Sequence, residues 1–147
     1  MRLFKYFTTE EMFTNCSDME KIQIITKDEN FIKLGKLFRF LDHLRDIIGS
    51  PIVVTSTYRD TDHNKAVGGV DNSQHTLAEA VDFKIKNVNF TDENTYNLIT
   101  CIIANLNDNT TQLLGQVIIY DTFIHISLKN QTHQNLKFYD KRKKGTN

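Results

Sequence analysis

The chain has 147 residues, the length of one ordinary domain, and 1–147 is read as a single domain. Hydrophobic residues are 39% and charged residues 24%, enough apolar material for one core in a soluble globular protein. Lys+Arg and Asp+Glu both number 18, and zero net charge argues against a nucleic-acid binder, which is usually basic.

The first twelve residues carry no long apolar run and no small-residue cleavage site, so no signal peptide is expected. No apolar segment reaches bilayer length, so no membrane insertion is expected. The chain therefore reads as a protein made in the cytoplasm and not exported by its own signal, with a monomer favoured. Thr8-Thr9-Glu10-Glu11 is a capping box opening a short helix that runs towards Asn15. Cys16 is undecided. A second helix is expected near Asp18 to Ile25.

Asn30 to Ile48 is the clearest helix. Phe31, Leu34, Phe38, Leu41, Leu44 and Ile48 form one stripe at helical spacing, with Leu37 beside it. Gly49 is its C-cap, and Pro51 blocks continuation. His43 lies among polar positions and reads as a surface residue. Ile52 to Thr57 is β-branched, hence a strand; Arg59 to Gln74 is polar and Gly-containing, hence a loop. Ala80 to Lys86 alternates, with Val81, Phe83 and Ile85 on one face and Ala80, Asp82 and Lys84 on the other.

Thr91 is expected to cap a helix that buries Ile99, Ile102, Ile103 and Leu106. Cys101, within that apolar pattern, reads as a small buried hydrophobe. The two cysteines lack zinc or redox spacing, and their pairing is left open. Asn107 to Gln112 is a turn-rich connection. Val117 to Tyr120 and Phe123 to Leu128 are short apolar runs around Asp121-Thr122, forming either a hairpin or one bent strand. From Lys129 the tail is polar and expected to be irregular, with Leu136, Phe138 and Tyr139 as candidates to dock. The basic run Lys141 to Lys144 reads as solvated. The element order predicts an α+β fold: a small antiparallel sheet with helices packed on one side.

The chemistry gathers between Ser56 and Asp82, and at His125. Zinc binds imidazole nitrogen and carboxylate oxygen, and a catalytic site keeps one position for water. His75 ends a Gly-containing loop. Asp82 sits in an otherwise apolar strand, where an unpaired carboxylate is costly. His125 sits in a second apolar strand between Ile124 and Ile126. Taken singly, each also reads as a hydrogen-bonded core histidine or a turn-capping aspartate. On spacing alone a metal site and a structural role both stay open.

Five pieces in order carry a resemblance. Ser56-x-Tyr58-Arg59, Asn64-x-x-Val67-Gly68-Gly69, Ser73-x-His75, Ala80-x-Asp82 and Phe123-Ile124-His125-Ile126-Ser127 resemble the signature of zinc D-alanyl-D-alanine carboxypeptidases. That family belongs to the wider lysostaphin-like and hedgehog-like zinc folds. Gln116-Val117-Ile118 is similar to the short strand before the last histidine, and the match covers roughly 37–128. The resemblance implies zinc on His75, Asp82 and His125. It implies Arg59 as a catalytic and substrate-binding cation and Ser73 as a substrate-binding residue. Tyr58, as a substrate-binding residue, and Tyr120 would line the pocket, and each reads equally as a core residue. Gly68 and Gly69 would shape the loop.

The family's catalytic acid falls shortly before the last histidine. Here Asp121 is the only nearby carboxylate and takes the role of base, at an offset not clearly the family's. Ala78 stands where the family has glycine, which strains the backbone if that position needs positive φ. His63 is expected at the surface, and His133, in the tail, is expected to be uninvolved. The implied function is hydrolysis of a bond in the peptidoglycan stem peptide by a carboxypeptidase or endopeptidase. The compact form resembles bacteriophage versions, which act in lysis or host penetration. The alternatives are an inactive zinc-containing binding module of the same fold and a metal-free structural domain.

Overall fold

The computed structural model describes residues 3–110 and 112–143. In chain order these form a 3-10 helix (Thr9–Phe13), α1 (Asp18–Thr26), α2 (Asp28–Ile48), β1 (Ile52–Ser56), α3 (Thr61–Ala66) and a second 3-10 helix (Gln74–Leu77). There follow β2 (Ala80–Ile85), α4 (Glu93–Asp108), β3 (Leu114–Ile119), β4 (Ile124–Leu128) and β5 (Lys137–Asp140). The fold is α+β, as the element order predicts: among the described residues, four helices accompany one open sheet of five strands. No helix among the described residues is long and apolar enough to cross a membrane.

α2 is the frame of the core. Leu34, Leu37, Phe38, Leu41 and Leu44 recur at helical spacing and are fully buried. Gly49 ends the helix at φ 79, a left-handed conformation open to glycine without penalty, and its N–H donates to Arg45 O at 2.9 Å. The N-terminal segment folds back on this helix. Phe4 and Phe7 place their rings 5.5 and 5.4 Å from that of Phe38. The Asp42 carboxylate accepts the Lys5 and Tyr6 amides at 2.8 and 3.0 Å.

The sheet order is β1-β2-β4-β3-β5, antiparallel except for the parallel β3–β5 pair. β3 and β4 form the hairpin, not one bent strand. Alternation then divides the sheet. Val81 pairs with Ile126 and Phe83 with Ile124, and Val117 and Ile119 continue the same rows. All are buried, on the face covered by α2, with α1 and α4 against it. The opposite face carries Asp82 paired with His125, and His125 paired with Ile118.

Several sequence expectations need correction. The stretch 59–74 is not all loop: Asp60 caps α3 by accepting the His63 N–H at 2.8 Å. His63 is half-buried, its Nδ1 2.9 Å from the Glu20 carboxylate, which also accepts the Asp60 amide at 2.7 Å. The buried Glu20 thereby ties α1 to the loop after β1. Burial works to raise its carboxyl, but bonds from the Ser17 and Asp60 amides and from His63 outweigh it and hold it below its ordinary range. Asp92, not Thr91, caps α4. Cys101 is exposed, because Ile99 and Ile103 set the buried stripe and Cys101 falls on the far side of the helix. Cys16 packs against the core, and both cysteines are free thiols.

The tail is ordered as β5 on the sheet edge, with Leu136 and Phe138 packed on the core. Arg142 is not solvated. Its side chain is 5% exposed, bonds Phe90 O at 2.8 Å and Asp140 at 2.8 Å, and lies 3.7 Å over the Tyr96 ring. Lys144, the end of the basic run, lies outside the described residues. His43 is exposed, as expected.

Ala78 adopts φ 56 and ψ 30 and is fully buried, so the position does need positive φ. An L-residue there carries about 1–2 kcal/mol of strain. Ala78→Gly relieves it but removes a buried methyl worth about 0.8 kcal/mol and loosens the unfolded chain. Its net effect in urea unfolding is expected to stay within about 1 kcal/mol. Ala78→Val adds a β-branch at positive φ in a packed site and is expected to cost at least about 2 kcal/mol. A valine variant as stable as the wild type would show that the left-handed turn is not required.

Candidate metal centre

The site is assembled by one strand pair and one short helix. Antiparallel pairing of β2 with β4 sets Asp82 directly opposite His125, on the face away from α2. The second 3-10 helix brings His75 over them. Ser73 starts that helix, its Oγ accepting the His75 N–H at 3.3 Å, and Ala78 ends it in the left-handed turn. The Arg59 amide donates to His75 O at 3.0 Å, fixing the helix to the end of β1.

The three side chains converge. His125 Nδ1 lies 2.8 Å and His75 Nε2 3.2 Å from the same oxygen, Asp82 Oδ1. The two rings meet edge to face, centroids 5.1 Å apart. His75 Nδ1 lies 2.6 Å from Thr57 O. A carbonyl only accepts, so Nδ1 carries the proton and the lone pair of Nε2 points into the site. His75 can then donate to Asp82 only as a charged imidazolium. A cation bound by Nε2 removes that requirement. Ligands on a tetrahedral zinc sit roughly 3.3 Å apart, given bonds of about 2.0–2.1 Å. The donor atoms here lie within 4.8 Å of one another, the one such cluster among the described residues. The residues fit zinc.

Electrostatics keep Asp82 and His125 in ligand form. Burial works to raise the Asp82 carboxyl, but hydrogen bonds from His125 and His75 outweigh it and hold the group well below the usual carboxylate range. Burial lowers the His125 imidazole against the pull of Asp82, with help from the like charges of His75 and Arg59. A neutral imidazole and an ionised carboxylate are what a metal needs.

These groups form the floor of a cleft of about 490 Å³. Arg59 and Ser73 line it, with Tyr120, Gln116 and His133. Burial lowers the Arg59 guanidinium, opposed by the charges of Asp82 and Glu20, and its buried Nε has no hydrogen-bond partner among the described residues. Burial, then the Asp82 charge, raises the Tyr120 phenol, so it keeps its proton. A cavity of about 560 Å³ between Lys36, Arg39 and His43 of α2 and the segment before β3 lies apart from this chemistry.

Two sequence assignments are not brought here. Tyr58 is a core residue: it is buried, and its hydroxyl donates to Gln23 Oε1 at 3.0 Å, holding α1. Asp121 lies in the β3–β4 turn. Strand alternation sends Gln116, Ile118 and Tyr120 towards the cleft and the next residue the other way. The Asp121 carboxylate accepts the Lys143 amide at 2.9 Å and faces a separate hollow beside Lys84 and Val88. Among the described residues that line the cleft, Asp82 is the only carboxylate. Gln116 was legible from alternation, two positions from Ile118, which pairs with His125. His133 has no local signal.

The profile of the Peptidase M15 family matches residues 5–127, so the chain belongs to this family of zinc D-Ala-D-Ala carboxypeptidase-like peptidases. The match includes the three convergent residues and stops before His133. No curated protein matches the chain.

Zinc-loaded protein is expected to retain about one ion per chain after dialysis, as a three-ligand site should. His75→Ala and Asp82→Asn are expected to retain almost none while staying folded. Equal zinc in His75→Ala and wild type, by elemental analysis, would exclude the cluster as the metal site.

Proposed function

We propose that this M15 peptidase is zinc-dependent and hydrolyses a bond in the stem peptide of bacterial peptidoglycan. The observation that carries the reading is the meeting of His75, Asp82 and His125 in a cleft beside Arg59, whose buried Nε has no hydrogen-bond partner among the described residues. His75, Asp82 and His125 would hold the zinc ion, which would supply Lewis acidity towards the scissile carbonyl and make water a stronger nucleophile near neutral pH. Every other contribution comes from the chain.

Arg59 offers a permanent cation with a planar fork of donors, suited to a stem-peptide carboxylate or to the oxyanion that develops at the scissile carbonyl. Tyr120 keeps its proton and offers a second donor; its ring stacks on Phe123 at 4.3 Å, which fixes its aim. Ser73 holds the His75 helix at the rim. Thr57 fixes the His75 tautomer through its carbonyl. Such an activity would serve a bacteriophage in lysis or host penetration. One observation favours a second reading, a zinc-holding binding module without turnover: the Asp121 carboxylate is turned away from the cleft.

Cleavage of a synthetic stem peptide by zinc-loaded protein separates the two. Arg59→Ala is expected to lower kcat/KM about 10²–10³-fold, the usual loss for one oxyanion donor. Asp121→Asn is expected to stay within about twofold of wild type, as for a surface change. No turnover of any stem peptide by zinc-loaded protein would leave the binding reading in place.

A further inference from the structure

Hydrolysis needs a group that moves a proton from the attacking water to the leaving nitrogen. Asp82 is committed to the metal cluster, Tyr120 keeps its proton, and the Gln116 amide transfers none. His133 remains. It lines the same cleft, is half-buried, and its ring makes no hydrogen bond among the described residues.

Its position is built, not incidental. Asn130 Oδ1 accepts the Thr132 and His133 amides at 2.9 and 2.8 Å, and the Asn130 amide donates to His133 O at 3.2 Å, closing a tight turn. Asn130 Nδ2 donates to Glu79 Oε1 at 3.1 Å. Glu79 is a buried carboxylate just after Ala78, held also by Lys33 of α2 at 3.2 Å and by Gln74 of the His75 helix at 3.3 Å. One buried carboxylate thus ties the helix that carries His75 to the turn that carries His133. Gly115 completes the arrangement. It sits at the register shift in β3, and a Cβ there would lie 2.7 Å from His133 O and 3.0 Å from the Lys129 Cα. Only glycine lets the turn descend on the sheet so that His133 rims the cleft.

We propose that His133 is the proton-transferring residue of this peptidase, in the role that a carboxylate before the last ligand would otherwise fill. Imidazole is the side chain whose ordinary range spans neutral pH, so it both accepts and returns a proton there. His133 takes one proton from the water as the water oxygen bonds to the scissile carbonyl carbon. It gives that proton to the leaving nitrogen as the C–N bond breaks. The products are a carboxylic acid and an amine, and the imidazole ends as it began. The assignment rests on the hydrolytic reading above.

The test uses zinc-loaded full-length protein, wild type, His133→Ala and His133→Gln, with a synthetic stem peptide as substrate. Zinc content, melting temperature, kcat, KM and affinity for an uncleavable peptide analogue are measured. The expected result is a loss of at least about 100-fold in kcat for both variants, the scale of general acid–base catalysis. KM, analogue affinity, zinc content and melting are expected to match wild type, and small imidazoles added in solution are expected to restore part of the His133→Ala rate. Variants within about threefold of an active wild type would overturn the His133 assignment and leave the peptidase reading intact. A loss that follows lowered zinc content or melting in both variants, without rescue, would make His133 structural and overturn it equally. A zinc-loaded wild type that cleaves no stem peptide would overturn the substrate reading and this assignment together.

Discussion

The Asp82 carboxylate is the constraint around which the molecule is arranged. It stands in the second strand of the sheet, between Val81 and Phe83, whose side chains go into the core. A charge set so deep needs partners within bonding distance. The fold supplies His125 from the neighbouring strand and His75 from above, both on one oxygen. Two imidazoles and a carboxylate converging this closely make a strained proton arrangement without a metal, and a sound ligand set with one.

The scaffold serves that arrangement by keeping the two faces of the sheet distinct. α2 and its aromatic partners from the N-terminus seal one face with close-packed apolar side chains. The other face stays polar and concave. The second 3-10 helix reaches it only through a left-handed turn at Ala78, where the chain accepts backbone strain in a buried position. The Thr57 carbonyl, the Arg59 amide and the Glu79 carboxylate hold that helix from three sides. Position and tautomer of His75 are thereby decided before any ligand arrives.

Much of this was legible in the chain. The Leu34 to Leu44 stripe showed α2 because helical periodicity is a local property. The alternation around Asp82 and around His125 showed two strands with polar residues on an otherwise apolar pattern. The ordered motif pieces then joined His75 to them. Other residues misled for equally physical reasons. Asp121 is close to His125 in sequence, but a turn residue points where the strand pleat sends it, and here that is away from the cleft. Tyr58 sits within the motif, yet Gln23 satisfies its hydroxyl inside the core. Cys101 lay in an apolar run, but the helix phase placed it outside.

By itself the sequence determined the fold class, the main helix, the strand faces and the candidate ligand residues, because each depends on short-range periodicity or on a motif of fixed order. The tertiary structure alone decided which polar groups share the cleft. It turned Asp121 out, withdrew Tyr58 into the core and bound His63 to Glu20. It also folded the polar tail into β5 and carried His133 to the rim. The physical reason is the same in each case. These placements depend on contacts between segments far apart in the chain, such as Asn130 with Glu79 and Arg142 with Phe90, and no local pattern encodes a partner that distant.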